Sequence, residues 1–310
     1  MFINTDPHVD QINHADIQPQ SREERSIMRI AISGATGLIG SHLSTHLKQR
    51  GDEIIPLRRE FFTPAKRSVL AAALTGCDAV INLAGATIDR NWTDAYKAEL
   101  YRSRIETTRT LVETLRTLKH RPRLFLSASA VGYYPSEGCY AESDARQGDG
   151  FLARLCHDWE HEVAQLPDDV RWITMRFGVV LSPDGGAFPK LAFFARKRLA
   201  LRFGSGMQNF SWIDLEDLVR AVAFLIEHPG IEGPVNFVSP RRINNRQFTQ
   251  AIARCFRTLT LPLPTVLLRL VRGESSELLL SGQCAYPEKL ISHGFTFRSE
   301  SINDFLARLP

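Results

Sequence analysis

Short apolar runs punctuate the chain at 29–33, 53–57, 77–84, 123–127, 171–175 and 234–238, and helix-favouring stretches separate most of them. An apolar run of about four to eight residues bounded by turn residues reads as a strand covered on both faces, which needs no polar alternation. The first run leads into a helix through about Arg50, with Gly51 as its C-terminal stop. A long helical stretch follows from Trp92 to Lys119. Strands alternating with helices predict an α/β fold, a doubly wound parallel sheet with helices on both faces.

The rhythm loosens after about Ser182, where Asp184-Gly185-Gly186 marks a turn. Residues 241–310 read as a small, mostly helical lobe, with Leu261-Pro262-Leu263-Pro264 as a punctuated loop before an apolar helix. Residues 1–27 are polar, contain Pro7 and Pro19 and lack periodicity, so a flexible N-terminal arm is expected. The expected division is therefore an arm at 1–27, a first α/β domain at 28–182 and a second lobe at 183–310. Late strands from 170–240 are expected to join the sheet, and a small C-terminal domain is expected at about 258–308.

A chain of 310 residues is long enough for about two domains. Thirty-eight Lys and Arg against 34 Asp and Glu leave a formal charge of +4, too small to imply nucleic acid as a partner. No uncharged apolar run approaches the roughly 18–20 residues of a membrane span, so no membrane is expected. Cys77, Cys139, Cys156, Cys255 and Cys284 are scattered, with no C-x-x-C pair. They suggest neither a zinc site nor a disulfide framework, and no metal is expected. With no basic segment leading an apolar one at the N-terminus, these features predict a cytoplasmic protein.

The segment 34–40 carries Gly34, Gly37 and Gly40 between the first strand and the first helix. A dinucleotide loop needs that context: a sharp turn, close backbone approach to a pyrophosphate, and tight helix–strand packing. A carboxylate at the end of the second strand would select NAD, by binding the ribose 2′-hydroxyl. Here Arg58 and Arg59 stand there, two guanidinium groups suited to a 2′-phosphate, so NADP(H) is expected.

These residues resemble the extended short-chain dehydrogenase/reductase superfamily. Besides the glycine segment, the resemblance rests on Asn82-Leu83-Ala84-Gly85 and on residues 127–134, Ser-Ala-Ser-Ala-Val-Gly-Tyr-Tyr. More narrowly, the chain resembles the atypical "epimerase family protein" branch, named for nucleoside-diphosphate-sugar epimerases. That likeness is carried by residues 91–93, 103–104, 151–160, 175–181 and 204–208, and by 273–283 of the small C-terminal domain. The resemblance implies a Rossmann-type fold, NADP(H), and a substrate cleft between the sheet and the C-terminal lobe. It implies cofactor contacts from Gly34, Thr36, Gly37, Leu38, Ile39, Gly40, Arg58, Arg59, Leu83, Ala84, Gly85, Ser127, Arg176, Gly178 and Val179.

Catalysis in the superfamily uses Ser, Tyr and Lys, with Tyr and Lys spaced one helical turn apart. Ser129 matches the serine. Aligning residues 151–160 on Glu160 puts Leu152 at the tyrosine position and Cys156 at the lysine position, and neither can do the original work. Tyr133, or Cys156 acting as a thiol acid, is the candidate replacement beside Ser129. Candidate substrate contacts are Trp92, Arg104, Tyr134, Gln208 and Asp214. Arg104 and Asp214 read as well as a solvated helix cation and a helix N-cap. Two functions are therefore expected in parallel. One is an NADP(H)-dependent epimerase or oxidoreductase acting on a small polar substrate such as a nucleotide sugar. The other is a non-catalytic NADP(H)-sensing regulatory protein. Either is expected as a monomer or homodimer.

Overall fold

Ile30, Ala31 and Ile32 have no exposed surface, as the central strand of a covered sheet requires. Residues 26–144 and 146–309 are described in the computed structural model; most of the expected N-terminal arm, residues 1–25, lies outside them. That strand, β1 (Arg29–Ser33), leads through α1 (Leu38–Gln49) to β2 (Glu53–Leu57). Two 3-10 turns and α2 (Arg67–Leu74) then carry the chain to β3 (Ala79–Asn82), on the other side of β1. Next come α3 (Asp94–Tyr101), a π-helical turn (Arg102–Glu106), α4 (Thr107–Thr117) and β4 (Leu124–Ala130). They are followed by α5 (Gly150–Val163), β5 (Arg171–Phe177), the hairpin β6 (Val179–Ser182) and β7 (Gly185–Gly186), and α6 (Ala187–Arg196). The chain continues through β8 (Leu199–Phe203), β9 (Trp212–Asp214), α7 (Leu215–Glu227) and β10 (Gly233–Phe237). It closes with α8 (Asn245–Phe256), β11 (Leu259–Leu263), α9 (Thr265–Arg272), α10 (Glu277–Leu280), α11 (Glu288–Ser292) and α12 (Ile302–Ala307).

The main sheet is parallel, in the order β10-β5-β4-β3-β1-β2. The chain leaves β1 in one direction to β2 and returns on the other side to β3. This is a topological switch, which opens a crevice beyond the carboxyl ends of those strands. Leu43 and Leu47 of α1 with Leu218 and Val222 of α7 cover one face. Leu70 and Leu74 of α2, Leu111 and Leu115 of α4 and Val163 of α5 cover the other. A third apolar cluster joins Phe188 of α6, Trp212 of β9, Phe248 of α8 and Phe305 of α12, and forms the core of the second lobe.

The stretch at 261–264, expected as a loop, lies largely in β11, which pairs in parallel with β8. Pro262 is accommodated because this two-stranded sheet has open edges, where a missing N–H costs no ladder bond. The long helix expected from 92 to 119 exists, but the π turn interrupts it. Among the described residues no helix is long and apolar enough to cross a membrane.

Candidate functional site

β1 ends at Ser33, and the chain turns at Gly34 with φ of 71°. A Cβ on Gly34 would lie 2.7 Å from the Leu83 carbonyl oxygen, and one on Gly40 would lie 2.2 Å from the Gly34 oxygen. Glycine is thus required twice, once for the loop to pass the end of β3 and once for α1 to seat on the loop. Gly37 is the N-cap of α1, and no side chain caps that helix. Thr36 and Gly37 are exposed at the loop tip, with Leu38 and Ile39 half-buried behind them. The uncapped N–H groups and the positive end of the helix dipole suit a phosphate.

A buried polar row fixes this edge. Ser33, Asn82 and Ser127 are register neighbours across β1, β3 and β4. Ser33 Oγ donates to Asn82 Oδ1 at 2.6 Å and accepts the N–H groups of Leu83 and Ala84, both at 3.2 Å. Asn82 Nδ2 donates to Thr108 Oγ1 at 2.8 Å and to Ser127 Oγ at 3.3 Å. Ser127 is therefore an interior member of the row. Sequence reasoning gave no part to Ser33, Asn82 or Thr108. The available signal was a polar residue at the end of the first apolar run and inside the third.

At the end of β2, Arg58 is exposed and makes no ion pair among the described residues. Arg59 pairs with Glu99 at 3.2 Å. On the opposite side of the crevice, the Arg104 guanidinium lies 3.2 Å from where a Cβ on Gly85 would sit. Its Nη2 donates to the Ala86 oxygen at 3.0 Å and its Nη1 to the Leu100 oxygen at 3.2 Å. It stands 5.4 Å from the centre of the Trp159 ring. No carboxylate accompanies it among the described residues, and desolvation holds its pKa below the ordinary arginine value. It projects from the π turn, a local widening of the helix frequent at functional sites.

A second polar row, Ser129, Arg176 and Asn236, crosses β4, β5 and β10. Ser129 Oγ donates to Glu160 Oε1 at 2.6 Å. Arg176 donates to both oxygens of Glu160, from Nε at 2.8 Å and from Nη2 at 2.7 Å. Its Nη1 donates to the Tyr134 phenol oxygen at 2.8 Å, and that phenol donates to Asn236 Oδ1 at 3.0 Å. The Arg176 guanidinium also covers the Tyr133 ring at 3.7 Å from its centre. Tyr133 is half-buried, and its hydroxyl makes no hydrogen bond among the described residues. Leu152 and Cys156 share one face of α5 beside Gly132, where an added Cβ would lie 3.5 Å from Leu152 Cβ and 3.8 Å from Cys156 Sγ. Burial pushes the Cys156 thiol up to about 12, so it is a neutral thiol at neutral pH.

Several expected site residues sit elsewhere or are committed internally. Tyr134 is 1% exposed and closes the interior network, so it is no cleft wall. Asp214 caps α7 through the Glu216 N–H at 3.0 Å, accepts from Ser299 Oγ at 2.9 Å and pairs with Arg308. Gln208 donates to the oxygens of Phe203 at 3.0 Å and Leu279 at 2.7 Å, joining β8 to the C-terminal segment. Trp92 is buried against Phe151 and donates to the Ile88 oxygen at 3.1 Å. Gly178 and Val179 form the passage from the main sheet to β6, with N–H bonds to Phe237 at 3.1 Å and Ser211 at 2.8 Å. Asp89 pairs with Lys190 of α6 and Arg272 of α9.

The cysteine reading needs correction. Cys139 and Cys284 form a disulfide, which fastens the loop after Tyr134 to the segment after α10. The two are 145 residues apart, so spacing alone carried no sign of it. A reducing compartment would disfavour this bond.

A family model described as the NAD dependent epimerase/dehydratase family matches residues 30–238, and a domain of unknown function matches 263–309. An epimerase family protein of Mycobacterium bovis is 38% identical over 291 residues, covering 89% of this chain and 96% of that one. One of Staphylococcus epidermidis is 33% identical, covering 90% and 97%. The crystal structure of a human epimerase family protein with NADPH superposes with a TM-score of 0.83 at 31% identity, covering 90% of this chain and 98% of that one. A nucleoside-diphosphate sugar epimerase of Corynebacterium glutamicum gives 0.73 at 31% identity, covering 91% and 58%. With its switch-point crevice, glycine loop and small C-terminal domain, the chain belongs to the NAD-dependent epimerase/dehydratase family, in the group of epimerase family proteins with a short-chain dehydrogenase/reductase fold.

Proposed function

We propose that the chain binds NADP(H) and uses it to reduce, oxidise or epimerise a small polar substrate that carries negative charge, such as a nucleotide sugar. One juxtaposition carries this reading. The segment that meets the glycine loop at Leu83 meets, at Gly85, an Arg104 guanidinium with no carboxylate partner. A cation held in a partly desolvated cleft without a counter-ion favours an anionic guest. The NADPH in the human relative and the nucleoside-diphosphate sugar in the name of the Corynebacterium one support the same pairing.

In this reading Gly34, Thr36, Gly37, Leu38, Ile39 and Gly40 hold the pyrophosphate by backbone, and Arg58 takes the 2′-phosphate. Arg59 contributes long-range charge from its pair with Glu99. The bound nicotinamide supplies hydride chemistry. Tyr133 gives or takes the proton at the substrate oxygen, because its hydroxyl has no hydrogen-bond partner among the described residues and Arg176 stacked on the ring holds it in place. Ser129 spends its own proton on Glu160 and offers its lone pairs to a substrate hydroxyl. Cys156 stays a neutral packing residue. Tyr134, Gln208 and Asp214 are left out of the substrate set, since their polar groups are already bonded.

One observation favours the second reading, a non-catalytic NADP(H) sensor. Leu152 and Cys156 occupy the helix face where the superfamily resemblance puts tyrosine and lysine; leucine has no titratable group, and the buried thiol keeps its proton at neutral pH and carries no positive charge. Titration with both cofactors tests the shared part: NADP(H) is expected to bind more tightly than NAD(H), with Arg58→Ala removing the preference. Equal or tighter NAD binding would overturn it. Incubation with NADPH, carbonyl compounds and nucleotide sugars tests the rest. Turnover abolished by Tyr133→Phe and reduced by Ser129→Ala supports the enzyme. Absence of turnover across the panel, with cofactor-dependent partner binding, supports the sensor.

A further inference from the structure

β8 and β11 run parallel and in register, Leu199 beside Leu259 and Leu201 beside Leu261. Their N-terminal ends therefore lie together. Arg196, Lys197 and Arg198 precede one strand and Arg254 and Arg257 the other, and all five are exposed. None pairs with a carboxylate among the described residues. Arg198 and Arg257 are the described non-glycine residues with positive φ, 65° and 51°, so both chains turn sharply into the pair through an arginine.

Apolar side chains stand among these cations. Phe193 is 57% exposed, Phe194 42%, Leu199 39%, Leu259 77% and Leu261 45%. α9 leaves β11 at the strand end away from these cations and is built inside out. Val266, Leu267, Leu270 and Val271 form one helical stripe and are exposed, while Leu268 on the other side is buried. The charge bias extends through the surrounding chain: 185–211 holds five Lys or Arg and 239–273 holds seven, with no Asp or Glu in either span. The rest of the chain has more acids than bases, 34 against 26.

We propose that this face is a docking surface for an anionic phospholipid bilayer, on which the protein rests peripherally. A two-fold interface with a second copy would set the same cations against themselves. An anionic surface meets the cations, and projecting Phe and Leu side chains gain by entering the headgroup boundary. The expectation of no membrane partner rested on the lack of a spanning run, and a surface contact needs none.

Flotation of the full-length protein with vesicles tests the assignment. Vesicles of phosphatidylcholine with phosphatidylglycerol are expected to retain the protein at low salt, and phosphatidylcholine alone is not. Replacing the cations in R196Q/K197Q/R198Q is expected to weaken retention roughly a hundredfold. Leu259→Ser with Phe193→Ser is expected to weaken it at unchanged charge. Because all five positions are exposed, an unchanged melting temperature establishes that each variant is folded. No retention on anionic vesicles at low salt would overturn the proposal, as would retention indifferent to both variants. Capture of an acidic peptide or of DNA by this face, without vesicle binding, would also overturn it.

Discussion

Arg176 and Glu160 face each other as a two-pronged ion pair, 2.8 and 2.7 Å across its two hydrogen bonds, with side chains only 4% and 12% exposed. The pair ties β5 to α5 and orients three groups at once: the Ser129 hydroxyl, the Tyr133 ring and the Tyr134 phenol. Removing one partner leaves the other charged and buried. Glu160→Ala is therefore expected to lower unfolding free energy by about 3–5 kcal/mol, read by urea denaturation. Unchanged stability would mean that Arg176 finds water in the folded protein.

Gly40→Ala probes the seat of α1. Its new methyl group would lie 2.2 Å from the Gly34 backbone oxygen, which no side-chain rotation relieves. The loop must shift, and dinucleotide affinity measured by calorimetry is expected to fall at least about tenfold, with about 1–3 kcal/mol of stability lost to overpacking.

The three free thiols are expected to react very differently. Cys255 is exposed, whereas Cys77 and Cys156 are buried. Burial also pushes Cys156 up to about 12, which suppresses the thiolate that alkylating reagents attack. Iodoacetamide at pH 8 is expected to modify Cys255 first, leaving Cys156 intact until denaturant is added. Peptide mass spectrometry reads the order.

The Cys139–Cys284 bond closes a long loop, so reduction or Cys139→Ser is expected to cost about 2–4 kcal/mol. A lower melting temperature with reductant in the wild-type protein, but not in the variant, is the expected pattern. A non-reducing digest identifies the linked peptides.

Glu142 accepts the N–H groups of Asn236 at 2.8 Å, Glu288 at 3.0 Å and Lys289 at 3.3 Å, yet burial still raises its pKa above the usual carboxylate range. A raised folded-state value means that the native protein holds a proton more readily than the unfolded chain. Its contribution is present in full below the unfolded pKa and is lost as pH rises through the folded one. Glu142→Gln is expected to flatten the fall in stability as pH rises above about 4.5, while lowering stability by leaving one of those N–H groups without an acceptor.

The sequence by itself determined the α/β class, the positions of the main strands and the glycine loop. Those features are local: a covered strand must be apolar along its length, and a tight strand-to-helix turn must be glycine. It did not reveal β11, because proline breaks the strand pattern and only β8 as a neighbour makes an open-edged strand possible there. It offered Tyr133 as a proton donor and Tyr134 as a substrate contact, without showing which phenol is already bonded. Adjacent in sequence, they differ only in what lies beyond them. Asn236, 102 residues further along, and Ala141 in the following loop engage one phenol oxygen, and no described residue hydrogen-bonds the other hydroxyl. Partner choice of this kind, like the Asp214 cap, the Arg104 cation without a carboxylate and the Cys139–Cys284 bond, depends on which remote atoms arrive within reach. Only the packed tertiary structure decides that, because hydrogen bonds and charges act over a few ångströms and carry no trace in the local pattern.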